Sequence, residues 1–323
     1  MRATPEDFRV DEVLGFAADG TGEHLLLQVR KRNANTAWVA AALAHAAGCA
    51  PAAVGYAGLK DRRALCTQWF SVPRPRDGRA LAGLSGEGYE VLEAQPHRRK
   101  LPRGALAGNR FDIRLAAEGE SGEALAQRLA ARLGTIAARG VPNYFGPQRF
   151  GRDGGNLEAT GERLSRFARG LRLSAARSAL FNAIAAARVA QGTWERLEVG
   201  DLANIDGGGT LFAVERDDPE LHARCARLEI HPTGALWGAE TPASGACVHE
   251  LECALAARHR RESALCEAAG LRQERRSLRL RVQDLQWVPE PQALRLRFFL
   301  RRGSFATAVL RELVESLPEA AEE

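Results

Sequence analysis

The stretch GYAGLKDRRALCTQW, Gly55–Trp69, opens in a glycine-flanked turn and ends in a strand, and that ending separates two possible folds. Gly55–Gly58 spell GxxG, the loop with which KH modules clamp a nucleic-acid backbone. A KH loop needs a helix on each side, whereas Cys66–Val72 carries the Thr, Trp, Phe and Val residues typical of a strand. The turn therefore belongs to a sheet, with a KH-type RNA-binding module as the rival reading. It bears one acid, Asp61, after Lys60 and before Arg62 and Arg63. Three flanking cations favour negative charge and gather phosphate. That setting suits a nucleophilic or ion-pairing acid where a nucleic-acid backbone docks. The plainer reading is a solvated surface charge.

Upstream, Phe8, Val10 and Val13 are interleaved with polar residues, and Leu25–Val29 is apolar, so strands are expected on either side of the Gly20/Gly22 turn. Thr36–Ala47 has the pattern of an alanine-rich amphipathic helix, with Asn35 and Gly48 as its caps. Downstream, Thr67–Val72 and Tyr89–Ala94 are expected strands. Asn109–Leu115 alternates with a period of two, which puts Asn109, Phe111, Ile113 and Leu115 on one face. An amide beside an aromatic ring on a rigid strand can hydrogen-bond a base edge and stack on its face. The same pair also reads as a core phenylalanine next to a strand-start asparagine.

Ser121–Arg139 predicts a helix capped by Ser121 and stopped at Gly140. The Gly-, Pro- and aromatic-rich run VPNYFGPQRFGRDGG (Val141–Gly155) follows, and a domain boundary is expected near residue 140. Beyond it the sequence predicts helices at about 157–169 and 174–191. Loops are expected over Gly200–Gly209 and His231–Gly245, strands within Gln283–Arg302, and a last helix after Ser304 running to about Leu317.

A chain of 323 residues is long enough for two domains. The net charge of +5 is mild, but six cations against Asp112 alone lie between His97 and Arg114, a footprint suited to a polyanion. Lysine occurs three times, at 31, 60 and 100, against 42 arginines. The six cysteines form no CxxC pair, so zinc is not expected. No secretory segment or apolar run of membrane-spanning length is present, which predicts a cytoplasmic protein with free thiols. Phosphate-loop, zincin, serine-hydrolase and zinc-deaminase signatures are missing. Carboxylate chemistry or plain binding remains.

PEDFRVDEV (Pro5–Val13), GYAGLKDRRALCTQW, HRRKLPRGALAGNRF (His97–Phe111), GVPNYFGPQRFG (Gly140–Gly151), LSAARSALFN (Leu173–Asn182) and GSFATAVLREL (Gly303–Leu313) resemble, in order, the blocks of the TruD family of tRNA pseudouridine synthases. The resemblance covers essentially the whole chain. It implies an α+β pseudouridine synthase fold with a mixed, mostly antiparallel twisted sheet, and a family-specific α/β insertion domain. By that mapping, residues 1–139 and 280–323 form a discontinuous catalytic domain and 140–279 the insertion.

The family's aspartate nucleophile falls on Asp61, and its substrate-contacting positions fall on Phe8, Asn109, Phe111 and Phe305. A basic residue before PEDF matches Arg2, a partner for Asp61. Lys60, Arg98, Arg99, Lys100 and Arg149 are candidates to hold the RNA backbone. The implied reaction is isomerisation of uridine 13 in the D-arm of tRNA, with no metal or cofactor. Tyr56, near Asp61 in sequence, is a candidate for proton removal at C5 or a packing residue. No apolar seam suggests a partner subunit, so a monomer acting on tRNA without an obligatory protein partner is expected.

Overall fold

A computed structural model describes residues 4–151, 154–158 and 165–314. In chain order the elements are β1 (Phe8–Val13), β2 (His24–Arg32), α1 (Thr36–Ala47), β3 (Gly55–Tyr56), β4 (Leu65–Pro73), β5 (Ser85–Gly86), β6 (Tyr89–His97) and β7 (Gly108–Leu115). There follow α2 (Gly122–Arg139), β8 (Val141–Pro142), α3 (Gly155–Glu158), α4 (Arg166–Ala190), β9 (Leu202–Ile205), β10 (Leu211–Ala213), α5 (Pro219–Ala226) and β11 (Ile230–Leu236). The chain closes with α6 (Ala246–Arg258), α7 (Arg260–Ala268), β12 (Glu274–Ser277), β13 (Arg279–Leu280), β14 (Gln283–Glu290), β15 (Ala293–Arg301) and α8 (Ala306–Leu313). Two compact units result. The first gathers the chain up to Ala131 with Gln283–Gly303, and the second holds Arg132–Val282 and the segment from Ser304.

The first unit is built on a nine-stranded sheet in the order β14-β15-β7-β1-β4-β2-β6-β5, with β3 added on β4. β1 and β4 run parallel, and the other pairs are antiparallel. The sheet is thus mixed and mostly antiparallel, as expected. Helix α1 covers the β2-β4-β6 part, where Val39, Leu43 and Ala44 close a core with Leu27, Val29, Phe70 and Val91. Gly48 ends α1 at a left-handed φ of 66°, and its N–H reaches the carbonyls of Ala44 and His45. At the front Asn35 is the N-cap residue, but its side chain makes no capping bond. A side chain cannot be added at Gly55 without backbone movement, because its Cβ would lie 2.5 Å from the Leu101 carbonyl oxygen. That close approach lets the strand leading into the Asp61 turn lie against the chain leaving β6.

The second unit packs α4, α6 and α7 around Leu180, Phe181, Ile184, Trp237 and Leu278, beside a sheet of order β10-β9-β11-β12. Here the structure departs from the sequence reading. α4 runs unbroken through Gly170 where two helices were expected, because burial of Ala176, Leu180 and Ile184 along one face outweighs the local cost of a glycine. β9 lies within a segment read as a loop, and β11 begins one residue before the other such segment and runs into it. β11, IHPTGAL, looks like a turn by its Pro and Gly, yet it is the central strand between β9 and β12 and is almost wholly buried. α8 runs from Ala306 to Leu313 and stops at an extended Val314, short of the expected end at about Leu317; residues 315–317 lie outside the described residues.

Candidate active site

Register across β7, β1, β4 and β2 assembles one face of the first sheet. Residues directly opposite in an antiparallel pair share a face. Phe111 is opposite both Val10 and Phe298, Val10 is level with Cys66, and Cys66 is opposite Lys31. In the next row Asn109 is opposite Glu12 and Leu300. Alternation along β1 and β2 therefore brings two charged residues, Glu12 and Lys31, onto the face that also carries Phe8, Val10, Leu27 and Val29. Both are buried.

These charges hold the Asp61 turn. The Lys60 ammonium pairs with Glu12 at 2.6 Å, with side-chain exposures of 8% and 0%. The second Glu12 oxygen accepts the Trp69 N–H at 2.9 Å. The Lys31 ammonium donates to the carbonyls of Asp61 and Ala34, each at 2.8 Å, and lies 3.5 Å from that of Lys60. Burial pushes the Lys31 ammonium below its usual pKa, while the nearby Cys66 and Asp61 charges act the other way. Gln68 donates to the Gly58 carbonyl at 2.7 Å and accepts from the Thr36 hydroxyl, which itself accepts the Lys60 N–H at 3.1 Å. Gly58, Lys60 and Asp61 are thus each gripped at the backbone by a buried side chain. The Asp61 residue itself is exposed.

Of the expected substrate-contacting residues, Phe8, Asn109 and Phe111 lie together. Phe111 stacks on Phe298 at 5.2 Å and meets Phe8 edge-on at 6.0 Å, and both Phe8 and Phe111 are buried. The Asn109 side-chain oxygen is buried with no hydrogen-bond donor among the described residues. Phe305 is in the second unit, 6.1 Å from the Phe145 ring and 5.8 Å from the Arg149 guanidinium. Arg149 also donates to the Ser174 hydroxyl at 2.8 Å, and burial lowers its pKa. It is half-buried among aromatic rings, not a projecting cation.

Lys60 likewise turns inward, because its ammonium neutralises the buried Glu12 carboxylate. Arg98 and Arg99 are exposed as expected. The Lys100 ammonium, also on the surface, is tied to the Ala52 carbonyl. Tyr56 lies under the Arg103 guanidinium, 3.6 Å from its ring centre. Arg2 lies outside the described residues. Sequence reading missed Glu12, Lys31, Thr36 and Gln68. For Glu12 and Lys31 the signal was available: each is a charge at an apolar-phase position of an alternating strand.

Among the described residues no cluster of His, Cys, Asp and Glu is arranged to hold a metal ion, and no helix is long and apolar enough to cross a membrane.

The family model of tRNA pseudouridine synthase D (TruD) matches residues 1–167 and 153–313. The tRNA pseudouridine synthase D of Xanthomonas axonopodis pv. citri is 47% identical over 339 residues, covering 97% of this chain and 90% of its own. That of Pseudomonas aeruginosa PAO1 is 47% identical over 332 residues, covering 98% and 91%. A crystal structure described as a TruD from Methanosarcina mazei superposes with a TM-score of 0.74 at 20% identity, over 98% of this chain and 94% of that one, which establishes the shared fold. The chain belongs to the TruD family of tRNA pseudouridine synthases.

Proposed function

We propose that this protein isomerises uridine 13 in the D-arm of tRNA to pseudouridine, with Asp61 as the nucleophile. The observation that carries the reading is the pairing of a tethered loop with an unfilled acceptor. Glu12 grips Lys60, the residue before Asp61, and directly across the strand pair from Glu12 stands Asn109 with its buried oxygen open to a donor. A uracil N3–H is such a donor. In this reading the uridine leaves its stack, its base edge bonds to Asn109, and Asp61 attacks C1′ as the bond from C1′ to N1 breaks. The freed uracil turns while Asn109 retains it, C5 bonds to C1′ as the Asp61 oxygen leaves it and the carboxylate is regenerated, the C5 proton departs and N1 takes one up. Atoms balance with no oxidant or cofactor.

Phe8 and Phe111 supply the apolar wall of this pocket, and Phe305 is assigned to the substrate by family resemblance. Arg98 and Arg99 are the RNA-backbone cations, while Lys60 acts from within as an anchor of the loop. Lys100 and Arg149 are backbone candidates on resemblance of their blocks. The first unit corresponds to the catalytic body, and residues 140–279 to the family's insertion. The enzyme works as a cytoplasmic monomer on tRNA. The test is incubation with unmodified tRNA transcripts and no cofactor, followed by carbodiimide modification and primer extension. A new stop at position 13 is expected. Binding of tRNA with no pseudouridine at any position would favour the non-catalytic RNA-binding alternative.

A further inference from the structure

A hollow of about 470 Å³ opens on the first unit, lined by Arg32, Asn33, Asn35, Trp38, Arg62 and Glu87. Its volume falls in the range of about 300–1,000 Å³ typical of small-molecule sites. The side chains that grip Gly58, Lys60 and Asp61, those of Gln68, Thr36, Glu12 and Lys31, are not among its lining residues. Trp38 is the unusual member. It stands at the first turn of α1 with 46% of its surface exposed. That exposure leaves a large aromatic face open to a ligand. Its indole is steadied by an edge-on contact with Tyr89, ring centres 5.8 Å apart, so it is a fixed surface. The polar lining is mostly cationic and amidic, with one acid, Glu87. Arg62 is exposed and makes one long bond, 3.5 Å, to the Asn33 carbonyl. Arg32 is paired with Glu6 at 2.6 Å, and the Asn35 side chain makes no capping bond.

We infer that this hollow is a second nucleotide subsite, which takes the unstacked base of a nucleotide next to the target uridine, with Trp38 as its stacking platform and Arg62 against its phosphate. Location decides the occupant. Arg62 follows Asp61 directly in the chain, so their Cα atoms are about 3.8 Å apart. A phosphate held by Arg62 therefore belongs to the stretch of backbone that carries a sugar at Asp61. Aromatic stacking binds any base, the arginine meets a phosphate, and the asparagine amides meet base edges. The inference rests on the proposed reaction at Asp61, and its test separates the two.

Single-turnover rates and fluorescence-anisotropy affinities are measured for wild type, Trp38→Ala and Trp38→Phe. The substrates are intact tRNA and tRNAs made abasic at either neighbour of the target uridine. Trp38→Ala is expected to weaken binding and kcat/KM for intact tRNA about tenfold, the share of one stacked base. Trp38→Phe should recover most of that. On one of the two abasic tRNAs wild type should already show the loss, and Trp38→Ala should add nothing. Equal behaviour of Trp38→Ala and wild type on intact tRNA, or losses that multiply on both abasic tRNAs, would overturn the subsite. If wild type forms no pseudouridine, the reading of Asp61 fails, and the affinities alone still decide for or against Trp38.

Discussion

Each unit buries a carboxylate paired with a cation, and the two pairs are built to different ends. In the second unit Glu252 accepts from the Ala235 N–H, the Ser244 hydroxyl and Arg275, while Arg275 spends its other nitrogens on the Thr233 hydroxyl and carbonyl. Every bond closes on the interior of a sheet and its helix. In the first unit Glu12 holds Lys60, and the next residue is an exposed acid. Beside that pair Lys31 is spent on carbonyls of the same loop, and an asparagine oxygen is left with no donor among the described residues. Buried charge that closes on itself fixes a fold. Buried charge that grips a loop, next to an acceptor left open, fixes a position for something that arrives later.

The largest expected effect tests the exposed end of that arrangement. Asp61→Asn should lower pseudouridine formation about 10⁴-fold or more in single-turnover assays, as removal of a nucleophile does. Its urea midpoint should match wild type, since a surface change costs at most about 0.5 kcal/mol. Activity retained in this variant would remove the reason for treating the two pairs differently.

Next come the pairs themselves. Lys60→Met and Arg275→Met each strand a buried carboxylate and should each cost about 3–5 kcal/mol in urea unfolding. The double changes Glu12→Gln/Lys60→Met and Glu252→Gln/Arg275→Met should regain most of that stability. Turnover should separate them, recovering fully in the Glu252/Arg275 double and staying about tenfold or more down in the Glu12/Lys60 double. Recovery in both would make the first pair merely structural.

Asn109→Ala should cost about tenfold in kcat/KM, the scale of one hydrogen bond to a bound ligand. It should cost little stability, because the oxygen it removes has no donor among the described residues. A large stability loss with unchanged kinetics would return Asn109 to the core.

The smallest effect lies in the second unit. His231 accepts from Arg279 at 3.0 Å, has Asp206 at 3.1 Å on its other nitrogen, and lies near Arg281. Burial is the main cause that holds its pKa below the ordinary value. Unfolded, it titrates at about 6.5. As pH falls below that value the unfolded chain takes up a proton that the folded one resists. Its contribution is thus present above about 6.5 and is lost as pH falls through the folded value, at up to about 1.4 kcal/mol per pH unit. Urea titrations of wild type against His231→Gln should show the difference, with no matching inflection in turnover.

The first sheet was legible because its signals are local. Helix α1 occupies the predicted Thr36–Ala47, and the alternation of Asn109–Leu115 put Asn109 and Phe111 on the same side as the structure does. β11 was illegible for the opposite reason: a Pro and a Gly that mark turns in isolation are held in a central strand by burial on both sides. At the site, the exposed acid stood out through its charged neighbours. Glu12 and Lys31 each showed only as a charge in the apolar phase of a strand, and what they grip depends on register between strands distant in sequence. The inward turn of Lys60 is set by that register too.

Lysine scarcity gives the loop a built-in gauge. The chain has three lysines: Lys100 on the surface, Lys60 at 8% side-chain exposure, and Lys31 wholly buried beneath the Asp61 turn. Amine-acylating reagents should therefore label them in that order, and the rate at Lys31 times the opening of the turn in the untouched wild-type protein.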